Sequence, residues 1–359
     1  MATPRKNIVS YQEVGIYHCI SRCVRRAFLC GKDPLSGKCF RHRRVYIKNN
    51  LKDLSTHFCL KVGASTVQPN HLHVVIKLDP FASAPLKPEE VVRRWRRVFP
   101  HKRDKNRKPV ELTDDELMKE IGNTALVAEW RARLVDLSWF MRCLKEPIAR
   151  MANKEDECKG HFWEQRFSCI RIEDDAALMA CLAYVELNSV RSGEVDRPEY
   201  CDFASIQDRI KAYKARRHLE MAQEYEKALE SKEEAKKMMA WALRESKADQ
   251  WLCPLEELFD GWNGYEGGIS EENYLELVDW TGRKLRDKDS GHIPEHLASI
   301  LERMEVDIQN WAKAVEGYGG LFHVFAGKAR RLRALAKKLG QRCCWGVNLK
   351  IQLYRAQAN

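Results

Sequence analysis

The chain has 359 residues, of which 44% are hydrophobic, and this composition excludes an intrinsically disordered protein. The length exceeds that of one typical domain, so we expect two. The excess of 62 basic over 51 acidic residues gives a formal charge of +11, which favours a polyanionic partner without identifying it.

The N-terminal sequence and the cysteines bear on the location of the protein. Arg5 and Lys6 are not followed by an apolar segment, which argues against a secretory signal peptide. No run is long and apolar enough to suggest a membrane span. An odd number of cysteines, 13, in a chain too large to need disulfides is typical of free thiols in a reducing compartment. We therefore expect a cytoplasmic protein without a membrane partner.

The first part of the chain alternates between predicted strands and helices. Residues 15–24 alternate loosely between apolar and polar side chains, which predicts a strand. Residues 45–60 have apolar side chains at helical spacing. Two short strands follow, near 62–68 and 71–78, with the turn signal Pro69-Asn70 between them.

The next part contains an insertion and then resumes the pattern. Residues 80–135 have several prolines and a block of arginines around a tryptophan, and we interpret them as an inserted basic arm. Helical spacing returns at 137–151, and a strand is predicted at 166–172. Acidic residues then begin an apolar helix over 174–191, and polar helices follow from about residue 205.

The order strand, helix, strand, strand, helix, strand, followed by another helix, predicts an α+β fold. It is the order of the ferredoxin-like split βαβ arrangement, in which helices cover one face of an antiparallel sheet. The other face would be free to meet a ligand. We assign residues 1–204 to this domain, including the basic insertion at about 80–135. Residues 205–359 form a mostly α-helical C-terminal region suited to DNA binding or dimerisation.

Four residues of the first domain are candidates for chemistry. His71 and His73 are two apart on a predicted strand, so they share a face and make half of a metal site. Tyr184 and Asn188 are four apart on a predicted helix, where they offer a hydroxyl nucleophile and an amide oxygen ligand. Together they suggest metal-assisted attack by a tyrosine on a phosphodiester. Simpler roles stay open: histidines that fill the sheet, a buried tyrosine ring, and an asparagine that ends the helix.

Three clusters of arginines are candidates for contacts with phosphate groups, and a tryptophan among them is a candidate for stacking on unpaired bases. A solvated surface is the alternative for each cluster. The candidate DNA-binding residues are Arg22, Arg25, Arg26, Arg43, Arg44, Arg94, Trp95 and Arg97. The cysteines near the N-terminus lack paired Cys-x-x-Cys spacing, so we do not predict a zinc site there.

Four sequence blocks occur in the same order as in a known family. They are YHCISR (17–22), NHLHVV (70–75), FWEQRF (162–167) and YVELNSVRSG (184–193). Over roughly residues 8–200 the chain resembles the REP-associated tyrosine transposases, which belong to the single-tyrosine HUH transposases. Four ordered blocks are a much more specific signal than the histidine pair alone.

The resemblance implies a ferredoxin-like nuclease core that cuts and rejoins single-stranded DNA next to imperfect, REP-like hairpins. His71 and His73 would hold Mg²⁺ or Mn²⁺, and Asn188 would be the third ligand by position. Tyr184 would attack the phosphate and form a 5′-phosphotyrosine link. Two departures from the family pattern are visible. Val67-Gln68-Pro69 stands where the family usually has an apolar residue, Met and Ser, and Ser189 replaces the usual proline.

The leading hypothesis is therefore a transposase-like endonuclease and strand transferase, either as a monomer or as a homodimer. A non-catalytic DNA-binding or regulatory protein that keeps the transposase fold is the alternative. A third interpretation, a metal hydrolase of small molecules, is disfavoured by the basic clusters.

Overall fold

The computed structural model describes residues 4–24, 30–32, 37–106, 108–225, 232–260, 269–286, 293–340 and 353–354. Within these ranges the fold is a mixed α+β arrangement of one five-stranded sheet and fifteen α-helices. The strands are β1 (Gly15–Arg22), β2 (Leu60–Val67), β3 (His71–Leu78), β4 (Ser168–Ile172) and β5 (Phe325–Ala326). The first four match the predicted strands within a few residues.

The strand order in the sheet is β2-β3-β1-β4-β5. Neighbours among the first four strands are antiparallel, whereas β4 and β5 are parallel. The sequence analysis did not predict β5, because a two-residue strand is too short to show an alternating pattern. The sheet is therefore mixed rather than purely antiparallel, and its fifth strand comes from the C-terminal region.

Before residue 205, the part of the chain that the structure describes contains seven α-helices. They are α1 (Arg41–His57), α2 (Pro88–Val98), α3 (Asp114–Gly122), α4 (Thr124–Leu134), α5 (Leu137–Glu155), α6 (Asp175–Glu186) and α7 (Asn188–Arg191). Helices α1 and α5 cover one face of the sheet. Alternation along the strands turns Tyr17, Val74 and Ile76 toward this side, where they join a buried apolar cluster with Leu51 and Phe140.

The opposite face of the sheet is covered as well, which corrects the expectation of an open face. Ile16 and Val75 point to this side and share a buried cluster with residues 176–185 of α6. Trp311 and Tyr318 from the C-terminal region belong to the same cluster. Because α6 is apolar on all sides, it needs partners on all sides, and the C-terminal region supplies those that the sheet does not.

From residue 205 onward, the described ranges contain eight helices. They are α8 (Ser205–Tyr225), α9 (Lys232–Glu245), α10 (Leu255–Phe259), α11 (Glu271–Arg286), α12 (Glu295–Arg303), α13 (Trp311–Glu316), α14 (Tyr318–Leu321) and α15 (Ala329–Lys338). Of these, α13 and α14 contact α6, and α11 contacts α7. None of the helices in the described ranges has both the length and the apolar character needed to cross a bilayer. The predicted boundary at residue 204 stays a prediction.

The insertion at 80–135, which we interpreted as an inserted basic arm, contains a small packed unit. Helices α2, α3 and α4 enclose their own apolar cluster, made of Val91, Val92, Trp95, Leu117, Val127, Trp130 and Leu134. A capping box at Thr113 and Glu116 begins α3. The insertion therefore has a core of its own, and its arginines lie around that core.

Candidate active site

The predicted histidine pair lies at the start of β3, on the face of the sheet that α6 covers. The ring centroids of His71 and His73 are 4.8 Å apart, at an interplanar angle of 81°. His71 is partly exposed and His73 is buried. In the register with β1, Arg22 stands opposite His71, and Ile20 stands opposite His73. The two-residue spacing thus brings both imidazoles together, as the sequence predicts.

A third imidazole joins this pair. Nε2 of His18, in β1, lies 2.8 Å from Nδ1 of His73, and the two rings stack with centroids 5.0 Å apart. Both side chains are buried. The sequence analysis did not single out His18 as a functional residue. It could have been found only from strand pairing, because the register of β1 with β3 places His18 diagonally across from His73.

The side chain of Tyr184 packs against these histidines from α6. Its ring centroid is 5.6 Å from that of His73 and 6.2 Å from that of His18. Asp174 caps the helix by accepting a hydrogen bond from the backbone N–H of Ala177 at 2.9 Å, and this fixes where α6 begins. The predicted nucleophile and the predicted metal ligand His73 are therefore in direct contact.

The fourth predicted residue, Asn188, follows a break in the helix. The predicted helix 174–191 is two helices, because Leu187 leaves the helical conformation between α6 and α7. Asn188 begins α7 and is buried, with 2% of its surface exposed. Its Nδ2 has no hydrogen-bond partner among the described residues. A buried amide NH₂ group without a partner is costly, and this group is free to donate to an acceptor, whereas a metal would be bound through Oδ1.

Arg191 places a guanidinium group over the ring of Tyr184. Its Cζ lies 4.5 Å from the ring centroid, within the range of a cation–π contact. Its Nη1 donates to the backbone carbonyl of Glu316 at 3.0 Å, and its Nε has no partner within the described part of the chain. The sequence block that contains Tyr184 includes Arg191, but spacing alone gave it no role. The site thus has a cation beside its candidate nucleophile.

The three imidazoles are neutral near pH 7. Burial, with a smaller effect of His71, lowers the pKa of His18 to about 3. Burial also lowers the pKa of His71 to about 4, and the positive charges of Arg22 and Arg191 add to this effect. The pKa of His73 is well below its usual value, mainly through burial. Because a neutral imidazole has one unprotonated ring nitrogen, each ring can bind a metal or accept a hydrogen bond.

The donor atoms of this site are compatible with a divalent cation. No group of three or more His, Cys, Asp and Glu side chains in the described ranges could hold a metal ion. The candidate ligands His71, His73 and Asn188 instead combine two imidazoles with an amide. Nε2 of His73 is buried and has no hydrogen-bond partner among the residues described. Such a donor set suits an ion that keeps coordination positions for a phosphate oxygen and water.

The two departures from the family pattern contact each other. Nε2 of Gln68 donates to Oγ of Ser189 at 2.9 Å and to Oγ1 of Thr66 at 3.0 Å. Gln68 and Ser189 are both buried. Gln68 lies in the turn before the histidine pair, and Ser189 lies in α7 next to Asn188. A hydrogen bond between the two departures therefore joins the histidine strand to the helix that bears the other candidate ligand.

Arg43 and Arg44 have internal partners, which corrects their predicted role in DNA contact. Arg43 is fully buried and forms ion pairs with Glu155 and Asp156. Arg44 is 6% exposed, pairs with Glu194 and donates to the backbone carbonyl of Val67 at distances of 2.6 and 2.9 Å. Because their charges are neutralised inside the fold, we leave both arginines out of the DNA-binding surface.

The candidates in α2 are also engaged within the protein. Trp95 is 4% exposed and packs in the core of the insertion, so its location does not support stacking on bases. Arg94 pairs with Glu90, and Arg97 pairs with Glu111. Arg25 and Arg26 lie outside the described residues. Of the six candidates that lie in the described ranges, Arg22 is the one that the structure places, exposed, beside the histidine pair.

The C-terminal region covers Tyr184. The ring of Tyr318 lies 5.4 Å from that of Tyr184, and a Cβ atom added at Gly319 would lie 2.9 Å from the Tyr184 hydroxyl oxygen. Only 8% of the Tyr184 surface is exposed. The same region is held at the start of α6, where Asp174 accepts hydrogen bonds from the backbone N–H of Lys328 and from the hydroxyl of Tyr354. The side chain of Tyr184 is therefore largely shielded from solvent in this conformation.

No protein-family model and no curated protein matches the sequence. A solved structure of a REP-associated tyrosine transposase bound to a REP hairpin is similar to this chain, with a TM-score of 0.34 and 12% sequence identity. The similar part covers 58% of this chain and 86% of that chain. The likeness is a weak relation of fold, and it carries no argument about what this chain binds or catalyses.

Proposed function

We propose that this protein is a transposase-like endonuclease and strand transferase that cleaves single-stranded DNA through Tyr184. The observation that supports this proposal most is the contact of the Tyr184 ring with His73, together with the guanidinium of Arg191 over the same ring. A nucleophile, candidate metal ligands and a cation for the phosphate are thereby assembled from separate elements. A tyrosine that served only to fill the core would not require this combination.

The proposal includes the ferredoxin-like core of an HUH nuclease, formed by residues 1–204. The order β2-β3-β1-β4, with α1 between β1 and β2 and with α5 on the same face, supports this assignment. The histidine pair then lies on a central strand, and α6 faces it with the tyrosine. Residues 205–359 would be a mostly helical region added to this core, which packs against α6 and supplies β5.

A divalent ion, Mg²⁺ or Mn²⁺, belongs to the proposal, with His71, His73 and Asn188 as its ligands. When bound, it would supply Lewis-acid chemistry by polarising the scissile phosphate. The low pKa values of the histidines support this role, because their ring nitrogens are not protonated near neutral pH. Arg191 would neutralise phosphate charge as the tyrosine approaches.

The proposed reaction forms a bond between Oη of Tyr184 and phosphorus while the bond from phosphorus to the 3′ oxygen breaks. The tyrosine hydroxyl loses a proton, and the departing 3′ oxygen gains one. The products are a 5′-phosphotyrosine link and a free 3′ hydroxyl. Attack of another 3′ hydroxyl on the phosphotyrosine reverses the step and joins the strand to a new partner.

The proposed substrate is single-stranded DNA next to an imperfect, REP-like hairpin, encountered in the cytoplasm. The net charge of +11 and the exposed Arg22 beside His71 support a nucleic-acid partner. The motif blocks, rather than the charge, support the hairpin. Both a monomer and a homodimer are compatible with this proposal.

The test is incubation of the wild type and of Tyr184→Phe with labelled single-stranded hairpin DNA from beside the gene, in the presence of Mn²⁺. We expect a covalent protein–DNA band on a denaturing gel for the wild type and none for Tyr184→Phe. Tyr200→Phe, at an exposed tyrosine, is the matched control and should behave as the wild type. Full retention of cleavage by Tyr184→Phe would reject Tyr184 as the nucleophile.

A non-catalytic DNA-binding or regulatory protein is the second candidate, and one observation favours it. Tyr184 is covered by Tyr318 and Gly319, so it is not accessible to a phosphate in this conformation. If the wild type binds the hairpin in a salt-dependent manner but forms no covalent band with Mn²⁺ or Mg²⁺, this second function is the better description.

A further inference from the structure

The two candidate histidine ligands each have a neighbouring side chain that bonds to Nδ1, partly buried for His71 and fully buried for His73. Nδ1 of His71 lies 2.5 Å from the side-chain oxygen of Asn70. Because an amide oxygen only accepts, Nδ1 of His71 must be the donor, and the lone pair of this neutral ring is then on Nε2. Asn70 therefore fixes the tautomer of His71 in the form that can bind a metal through Nε2.

The neighbour of His73 is His18, and it does not fix the tautomer by itself. Nδ1 of His73 and Nε2 of His18 are 2.8 Å apart, so one nitrogen donates and the other accepts. Nε2 of His73 and Nδ1 of His18 have no partner in the described part of the chain. Either direction of the hydrogen bond leaves one N–H and one lone pair without a partner, so the protein alone gives little preference between them.

A cation bound to Nε2 of His73 would favour one of the two directions of this hydrogen bond. It requires the lone pair on Nε2, so the proton must be on Nδ1, and His18 must accept it through Nε2. We propose that His18 is a positioning residue that accepts a hydrogen bond from Nδ1 of His73 and thereby holds the Nε2 lone pair of His73 toward a divalent cation. This inference rests on the metal site of the proposed function. It adds a residue that would not touch the metal itself but orients and polarises a ligand.

The experiment measures Mn²⁺ binding to the metal-free full-length protein by isothermal titration calorimetry, without DNA. His18→Phe keeps an aromatic ring but has no acceptor, and we expect its affinity for Mn²⁺ to fall by about 10- to 100-fold. His18→Gln offers an amide oxygen as acceptor, and we expect it to stay within a few-fold of the wild type. Ser21→Ala changes a buried residue of the same strand on the opposite face, and it should leave the affinity unchanged.

Equal Mn²⁺ affinity in folded His18→Phe and in the wild type overturns the inference while the metal site stands. Absence of Mn²⁺ binding to the wild type overturns both the inference and the metal site. If His18→Phe does not fold, the wild type labelled with ¹⁵N-histidine is used instead. Its spectrum in the presence of Zn²⁺ reports which ring nitrogen of His73 is protonated. The inference then requires a His73 spectrum with a protonated Nδ1, and an unprotonated Nδ1 overturns it. Hairpin binding in EDTA, measured for all variants, should not depend on His18.

Discussion

Gln68 and Ser189 show at the residue scale how the fold joins two side chains that are far apart in the sequence. The sequence identifies both as departures from the family pattern, but they are 121 positions apart, and only the fold brings them within 2.9 Å. Ser189 also hydrogen-bonds to Glu194; burial raises the pKa of that carboxyl group, but Arg44 chiefly, together with this hydrogen bond, lowers it overall. A polar path therefore runs from the turn before the histidines to the segment after Asn188.

We predict that Gln68→Ala and Ser189→Ala are energetically coupled. Each single variant leaves the other polar group buried without this partner, so the double variant should lose less free energy of unfolding than the sum of the single losses. The expected coupling is about 1 kcal/mol. Urea unfolding of the four proteins measures it. The pair Gln68→Ala and Arg142→Ala is the control, since Arg142 is on α5 and pairs with Glu146. Strictly additive losses for Gln68 and Ser189 would contradict the prediction.

Local spacing explains which site residues the sequence could reveal. His71 with His73 and Tyr184 with Asn188 are separated by two and four positions, so strand and helix periodicity suffice to pair them. The role of His18 depends on which strands are neighbours, and a single strand pattern does not contain that information. For the same reason the sequence could not show that Arg43 has carboxylate partners more than 100 positions away.

At the element scale, strand alternation and helix spacing predicted β1 to β4, α1, α5 and α6. The exceptions have physical reasons. Strand β5 has two residues and is stabilised by backbone hydrogen bonds to Arg171 and Glu173, which leave no pattern in side chains. From the sequence alone, the arginines of α2 predict a basic surface. Their glutamate partners come from α2 itself, from α3 and from the segment before α3, and these pairs form only when the insertion folds.

Asp175, the first residue of α6, is the basis of a prediction about pH. Burial, with the neighbouring charge of Asp174, raises its pKa from 3.8 to about 6. Its Oδ1 has no hydrogen-bond partner among the described residues. The folded state therefore holds this proton more tightly than the unfolded state does. The stability that the protonated Asp175 contributes is fully present below about pH 4, and this contribution is lost as the pH rises through about 6.

Asp175→Asn removes this loss, so it should raise the free energy of unfolding above pH 7 by about 2 kcal/mol and change it little at pH 3.5. This gain is net of the favourable interaction between a carboxylate and the helix N-terminus, which the variant loses. Denaturant unfolding as a function of pH measures the difference. Asp114→Asn, at the exposed first residue of α3, is the matched control and should show no comparable gain. A pH-independent effect of Asp175→Asn would exclude this explanation.

At the scale of the whole molecule, the C-terminal region is joined to the site at two places. Strand β5 extends the sheet beside β4, and Asp174 binds Lys328 and Tyr354 at the start of α6. Helix α14 follows α13 in the chain and precedes these contacts, and it lies over Tyr184. The sequence predicted a helical C-terminal region, but it could not predict this position, because contacts between distant segments depend on the shape of both surfaces. Because it covers Tyr184, the C-terminal region would control access to the nucleophile of the proposed function.

Two adjacent glycines of α14 allow a test of that control. A methyl group at Gly319 would lie 2.9 Å from the Tyr184 hydroxyl oxygen, closer than a normal contact, whereas a methyl group at Gly320 meets no heavy atom of the described residues within 4 Å. Both changes to alanine have the same effect on helix propensity. Gly319→Ala should therefore displace α14 and raise the exposure of Tyr184, while Gly320→Ala should not.

We expect Gly319→Ala to increase both nitration of Tyr184 by tetranitromethane and the rate of covalent attachment to hairpin DNA by about tenfold, since overlap of this kind costs about 1–3 kcal/mol. Peptide mass spectrometry measures the nitration, and denaturing gels measure the attachment. Equal values for the two alanine variants would show that α14 does not restrict access. If nitration rises but attachment falls, the methyl group has moved the tyrosine instead of the cover, because a nucleophile displaced from His73 and Arg191 is exposed but no longer positioned for attack.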